Sequence, residues 1–263
     1  MGNRKRCVAF TLLLVLSCLG CRRSITEDVP VVAAAADLQF ALEEITQQFT
    51  AATGRTVKVS FGSSGNFVRQ LEQGAPFQLF LSADEAFVFR LAKAGRTLDQ
   101  GTLYATGRIG LFVPHGSPLK ADGSLADLRA ALADGRLRSF ALANPEHAPY
   151  GQRAEEALRK AGMWEAIQPR LVLGENVSQA AQFATSGSAQ GGIIAASLAR
   201  SPRIAQMGSF ALIPEAWHRP LAQRMVLLKG AGPTARAFYA HLQRPEARTI
   251  LRKYGFVLPS ERP

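Results

Sequence analysis

From Val31 onward, short apolar runs alternate with segments of helical periodicity. "VVAAAA" is followed by "DLQFALEEITQQFTAATG", in which Leu38, Leu42, Ile45 and Phe49 recur on one helical face and Gly54 supplies the stop. The same alternation pairs "RTVKVSF" with "NFVRQLEQG", "PFQLFLSA" with "DEAFVFRLAKAG", "RSFALAN" with "GQRAEEALRKAG", and "RLVLG" with "SQAAQFATSG". "RIGLFV", "GGIIAAS" and "QRMVLLK" read as further strands, and "PTARAFYAHLQRPEARTILRKYG" reads as closing helix. Strand and helix in this succession predict an α/β protein with mainly parallel sheets. No disordered linker interrupts residues 30 to 263, so two lobes would have to share the chain through hinge strands. That is the geometry of a cleft.

The first residues differ in character. Arg4, Lys5 and Arg6 precede the uncharged run "CVAFTLLLVLSCLGC". At roughly 15 residues it has the length of a signal-peptide core and falls short of the ~20 that a membrane span requires. All three cysteines, Cys7, Cys18 and Cys21, lie here, which leaves no disulfide for the body of the chain. Gly20 before Cys21 looks like a lipoprotein cleavage signal, with residues 1–20 removed and Cys21 lipidated. Cys18 is a rival cleavage point. Loss of Arg4, Lys5 and Arg6 lowers the formal charge from +11 to +8. The remaining Lys and Arg are scattered and not interleaved with aromatics, which argues against a nucleic-acid partner. A positive field of this kind attracts small anions.

Four strand-to-helix junctions have special composition: "AAADL" (34–38), "FGSSGN" (61–66), "ANPEHAPYGQ" (143–152) and "GENVSQ" (174–179). The first N–H groups of a helix lack intrahelical acceptors and carry the positive end of its dipole, so several converging on one cleft bind an anion without a lysine or arginine. Gly62 and Gly65 let backbone approach a ligand, and Ser63 and Ser64 add hydroxyls. As single junctions, these serines would be ordinary N-caps. Signals for catalysis are weak. "GSSG" lacks the spacing of a nucleophile elbow. His115, His147, His218 and His241 are far apart, without metal-ligand spacing, and read as loop or surface histidines. No phosphate loop or dinucleotide fingerprint is present.

"VAAAADL", "FGSSGNFVRQLEQGAPFQLFLSADE", "ANPEHAPYG", "EEALRKAGMWE", "ENVSQAA" and "YGF", in this order, resemble the periplasmic molybdate-binding proteins, the solute receptors of ABC transporters. The resemblance runs from about Val31 to Val257. It implies an α/β type II periplasmic-binding-protein fold, with residues 27–110 and 222–263 as lobe 1, 111–221 as lobe 2, and the ligand cleft between them. It also implies a tetrahedral oxyanion, molybdate or its analogue tungstate, held by neutral donors at Asp37, Ser64, Tyr150 and Val177, with Ser63 and Asn66 behind them. No other cofactor or metal is implied. The expected partner is an ABC permease in the inner membrane, served by a monomeric, lipid-anchored periplasmic receptor that is not an enzyme.

Two positions depart from the family pattern. Some members carry a tyrosine where "GGIIAAS" has Ala195, and the Tyr150 hydroxyl is a candidate replacement. The first junction often carries serine, whereas Asp37 places a carboxylate near a dianion. Asp37 either caps its helix through the amides of Gln39 or Phe40, or faces the ligand and favours a protonated oxyanion such as hydrogen phosphate. A phosphate-like receptor and an exported enzyme acting on a small anion are the alternatives.

Overall fold

The computed structural model describes residues 29–259; the leader and the Cys21 reading lie outside them. The strands are β1 (Val31–Ala35), β2 (Lys58–Gly62), β3 (Leu79–Ser82), β4 (Thr102–Gly107), β5 (Ile109–Pro114), β6 (Phe140–Ala143), β7 (Leu171–Gly174), β8 (Gly192–Ala195), β9 (Gly208–Leu212) and β10 (Leu221–Leu227). The helices are α1 (Gln39–Thr53), α2 (Ser64–Glu72), α3 (Glu85–Lys93), α4 (Ala126–Ala133), α5 (Pro149–Lys160), α6 (Trp164–Ile167), α7 (Val177–Thr185), α8 (Ala196–Ala199), α9 (Pro202–Ala205), α10 (Pro233–His241) and α11 (Pro245–Lys253).

The strands form two five-stranded sheets, β2-β1-β3-β10-β4 and β7-β6-β8-β5-β9, one to each lobe. β1 pairs in parallel with β2 and β3, and β6 with β7 and β8. β10 runs antiparallel to both its neighbours, as does β5. The sheets are therefore mixed, where mainly parallel ones were expected. β5 enters the second sheet directly from β4 of the first, with only Arg108 between them, and not through a helical crossover within its own sheet. The chain changes sheet at Arg108 and returns within residues 213–220.

Period-two alternation buries both faces of the first sheet. Leu79 and Leu81 of β3 enter one apolar cluster and Phe80 the other. Leu38, Leu42, Ile45 and Phe49 are buried together as expected, and Gly54 ends α1 at φ 70°. Burial of each such side chain contributes roughly 1.5–3 kcal/mol. The closing segment forms two helices, because Pro245 cannot continue α10 and instead starts α11. β4, β9 and α4 were not anticipated. The first two carry Thr, Ser and Gly, which dilute the apolar alternation.

Candidate functional site

The carboxyl ends of β1 and β2 face those of β6 and β7 across the gap between the lobes. Asp37, Gly62, Ser63, Ser64, Ala148, Tyr150, Asn176 and Val177 are among the residues that wall a narrow cleft there. Thus Asp37 and Ser64 from one lobe and Tyr150 and Val177 from the other line one small cavity. Ser63 lines it too, whereas Asn66 sits outside, its Nδ2 donating to Glu175 Oε2 across the rim at 3.1 Å. A larger groove elsewhere, along Phe89 and Leu98, is open and gathers no helix N-termini.

Local capping explains how the donors are presented. Ser63 caps α2, its Oγ accepting from the Asn66 N–H at 3.4 Å, so Ser64 begins the helix. Asn176 caps α7 through the N–H groups of Ser178 and Gln179, and Val177 is the first helical residue. Pro149 starts α5 with Tyr150 second, and Asp37 is second in a 3₁₀ turn at 36–38. In all four places the backbone N–H belongs to a first turn and has no intrahelical acceptor. Ser64 Oγ accepts the Ala83 N–H at 3.0 Å, which leaves its own proton to donate. Among the described residues no lysine or arginine lines the cleft.

Asp37 does not cap its helix. Its Oδ2 accepts from Tyr150 Oη at 2.8 Å and Gln223 Nε2 at 2.6 Å, while Oδ1 is buried without a hydrogen-bond partner. Burial pushes the carboxyl up to about 7, against the opposing hydrogen bonds from Gln223 and Tyr150. Its own backbone N–H lies close enough to favour the charge slightly without bonding to Oδ1. Burial, reinforced by Asp37, holds Tyr150 well above the usual phenol range. The expectation that the Tyr150 hydroxyl faces an anion is corrected accordingly: its single proton goes to Asp37, and what Tyr150 offers the cleft is its N–H.

The lobes are closed on one another. Ser178 Oγ donates to the Ala36 carbonyl at 2.9 Å and Ser197 Oγ to the Asp37 carbonyl at 2.8 Å. Gly65 N–H donates to the His147 carbonyl at 3.0 Å, and a Cβ on Gly65 would lie 2.5 Å from that oxygen. Gly65 is therefore small to let the lobes meet, not to approach a ligand. Arg153, 3% exposed, pairs with Asp84 of the opposite lobe.

His147 is buried, contrary to its reading as a loop or surface residue, and its Nδ1 lies 2.8 Å from Ser63 Oγ. Its Nε2 is 3.5 Å from Glu175 Oε2. Hydroxyl, imidazole and carboxylate come together here, but Ser63 sits in the first lobe and the other two in the second. The Ser63–His147 contact ties the two lobes together. Among the described residues no cluster of three His, Cys, Asp or Glu suits a metal.

Sequence reasoning overlooked Gln223, Tyr104, Ser197 and Arg153, and gave His147 no role in the cleft. Gln223 had a signal, since it is the polar residue at an inward position of β10 between Leu221 and Met225. Tyr104 Oη donates to Gln223 Oε1 at 2.7 Å, orienting the amide so that its Nε2 meets Asp37.

Residues 30–257 match the family of bacterial extracellular solute-binding proteins. The molybdate-binding protein ModA of Rhodobacter capsulatus is 36% identical over 230 residues, covering 86% of this chain and 87% of that one. The Azotobacter vinelandii periplasmic molybdate-binding protein superposes with a TM-score of 0.78 at 30% identity, over 88% of this chain and 99% of that one. A putative ABC transporter substrate-binding lipoprotein of Bacillus subtilis, YvgL, is 28% identical over 253 residues, covering 93% of each chain. With the two-lobed fold and the cleft in place, the chain belongs to the bacterial extracellular solute-binding proteins, and within them to the molybdate-binding group.

Proposed function

We propose that this protein is the receptor of an ABC transporter, capturing molybdate between its lobes and delivering it to an inner-membrane permease. The observation that carries the reading is the convergence of first-turn N–H groups at Asp37, Ser64, Tyr150 and Val177, from both lobes, on one small cleft without a cation. Such donors neutralise a tetrahedral oxyanion by hydrogen bonds and helix dipoles. Ser64 adds its hydroxyl. Tungstate, an analogue of the same shape and charge, is held by the same donors.

In this reading the receptor works as a monomer, exported by the leader and tethered through a lipid on Cys21. The tether is supported by Gly20-Cys21 and by similarity to a relative described as a lipoprotein. Mass spectrometry of the mature N-terminus tests it: an unmodified peptide beginning downstream of Cys21 rules it out. Calorimetry with molybdate, tungstate, sulfate and phosphate tests the ligand. Tight molybdate binding without sulfate binding is expected, and binding of phosphate alone overturns the proposal.

A further inference from the structure

Asp37 is an unusual wall for an anion site. Its carboxyl is 1% exposed, it lines the cleft, and no lysine, arginine or histidine pairs with it among the described residues. Both donors that reach it, Tyr150 Oη and Gln223 Nε2, converge on Oδ2, while Oδ1 has none. An ionised carboxylate so placed would leave a charged oxygen unsatisfied beside a dianion. A protonated one would turn the same oxygen into a donor.

We propose that Asp37 meets the captured oxyanion as a neutral carboxylic acid, with the proton on Oδ1 hydrogen-bonded to the anion, so that each capture takes up one proton from solvent. This rests on the molybdate reading and adds a selectivity: the acid suits a fully deprotonated oxyanion and offers no charge to one that carries its own proton. Burial already holds the carboxyl at about 7 in the closed form without ligand, and an adjacent dianion raises it further. The titratable groups facing it are Tyr104 from β4 and Tyr150 from α5, both held well above the usual phenol range and so neutral here. Gln223 from β10 and Ser197 from α8 are uncharged. His147, on the loop before α5, and the exposed Glu175 at the rim are further titratable groups of the cleft region.

The sign follows from linkage. Where the free protein is ionised and the complex protonated, affinity falls as pH rises, by about tenfold per pH unit. Calorimetry of molybdate binding at pH 8, in two buffers of different ionisation enthalpy, counts the protons. Uptake approaching one per molybdate is expected in the wild type and in His147→Gln, and none in Asp37→Asn. Asp37→Asn, whose amide mimics the protonated acid, is expected to bind at pH 8 at least as tightly as wild type and independently of pH. Tight wild-type binding without proton uptake overturns the inference alone, whether or not the variant folds. So does uptake that vanishes in His147→Gln and persists in Asp37→Asn. Absence of molybdate binding at every pH from 6 to 8.5 overturns the functional reading, and this inference with it.

Discussion

Ser63 Oγ and His147 Nδ1, 84 residues apart in the chain, lie 2.8 Å apart across the two lobes. Beside them the Gly65 N–H reaches the His147 carbonyl. This corner of the closed form has no room for added bulk. Gly65→Ala would set a Cβ 2.5 Å from a backbone oxygen, with no flexible side chain to yield. The variant is expected to fold normally and to bind molybdate at least tenfold more weakly. Solution scattering should show it failing to become compact at molybdate levels that close the wild type.

Arg153 and Asp84 supply the second tie. Removing the cation by Arg153→Leu leaves the Asp84 carboxylate, which also caps α3 through the Ala86 N–H, in the closed interface without its partner, while Glu156, paired with Arg153 within α5, keeps Arg219. Breaking a buried pair costs roughly 3–5 kcal/mol, here chiefly in the closed form. Molybdate affinity should fall by about two to three decades with the melting temperature of the empty protein nearly unchanged. An equal loss in both would make Arg153 a general stabiliser.

Tyr150 and Gln223 both favour ionised Asp37 by donating to Oδ2. Tyr150→Phe and Gln223→Leu each remove one such bond, so the Asp37 carboxyl should protonate more readily. Neutral Asp37 then persists to higher pH, and the pH at which molybdate affinity begins to decline should move upward in both variants, more in Gln223→Leu. Titrations from pH 6 to 9 read this directly. A hydroxyl donated to the anion itself would instead cost Tyr150→Phe about one to two decades at every pH, with no displacement of the profile.

His241 has neither ring nitrogen hydrogen-bonded, and its ring packs on Phe49 with centroids 5.4 Å apart. Burial, with help from Arg244, lowers its proton affinity below that of an ordinary histidine. The unfolded chain therefore binds the proton more readily, and His241 costs stability as pH falls through about 6.5, the ordinary histidine value. Thermal melts at pH 7.5 and 5 should differ less in His241→Leu than in wild type. An undiminished difference would assign the acid sensitivity elsewhere.

Sequence alone was sufficient where the cause is local. The periodicity of Leu38, Leu42, Ile45 and Phe49 placed α1, and the turn residues of the four junctions placed the helix starts that present Asp37, Ser64, Tyr150 and Val177, because caps and amphipathic faces depend on residues within a turn or two. What lay beyond that range needed the tertiary structure. The antiparallel entries of β5 and β10 follow from how the chain crosses between lobes, and the partner of the Tyr150 hydroxyl from a packing of residues 113 positions apart. Gln223, Tyr104 and His147 take their roles from burial beside groups far away in sequence, where a lost contact with water obliges each polar atom to find a partner. Asp37 Oδ1, which faces the cleft without a partner, took its place from the same packing of distant segments, so no local pattern marked it.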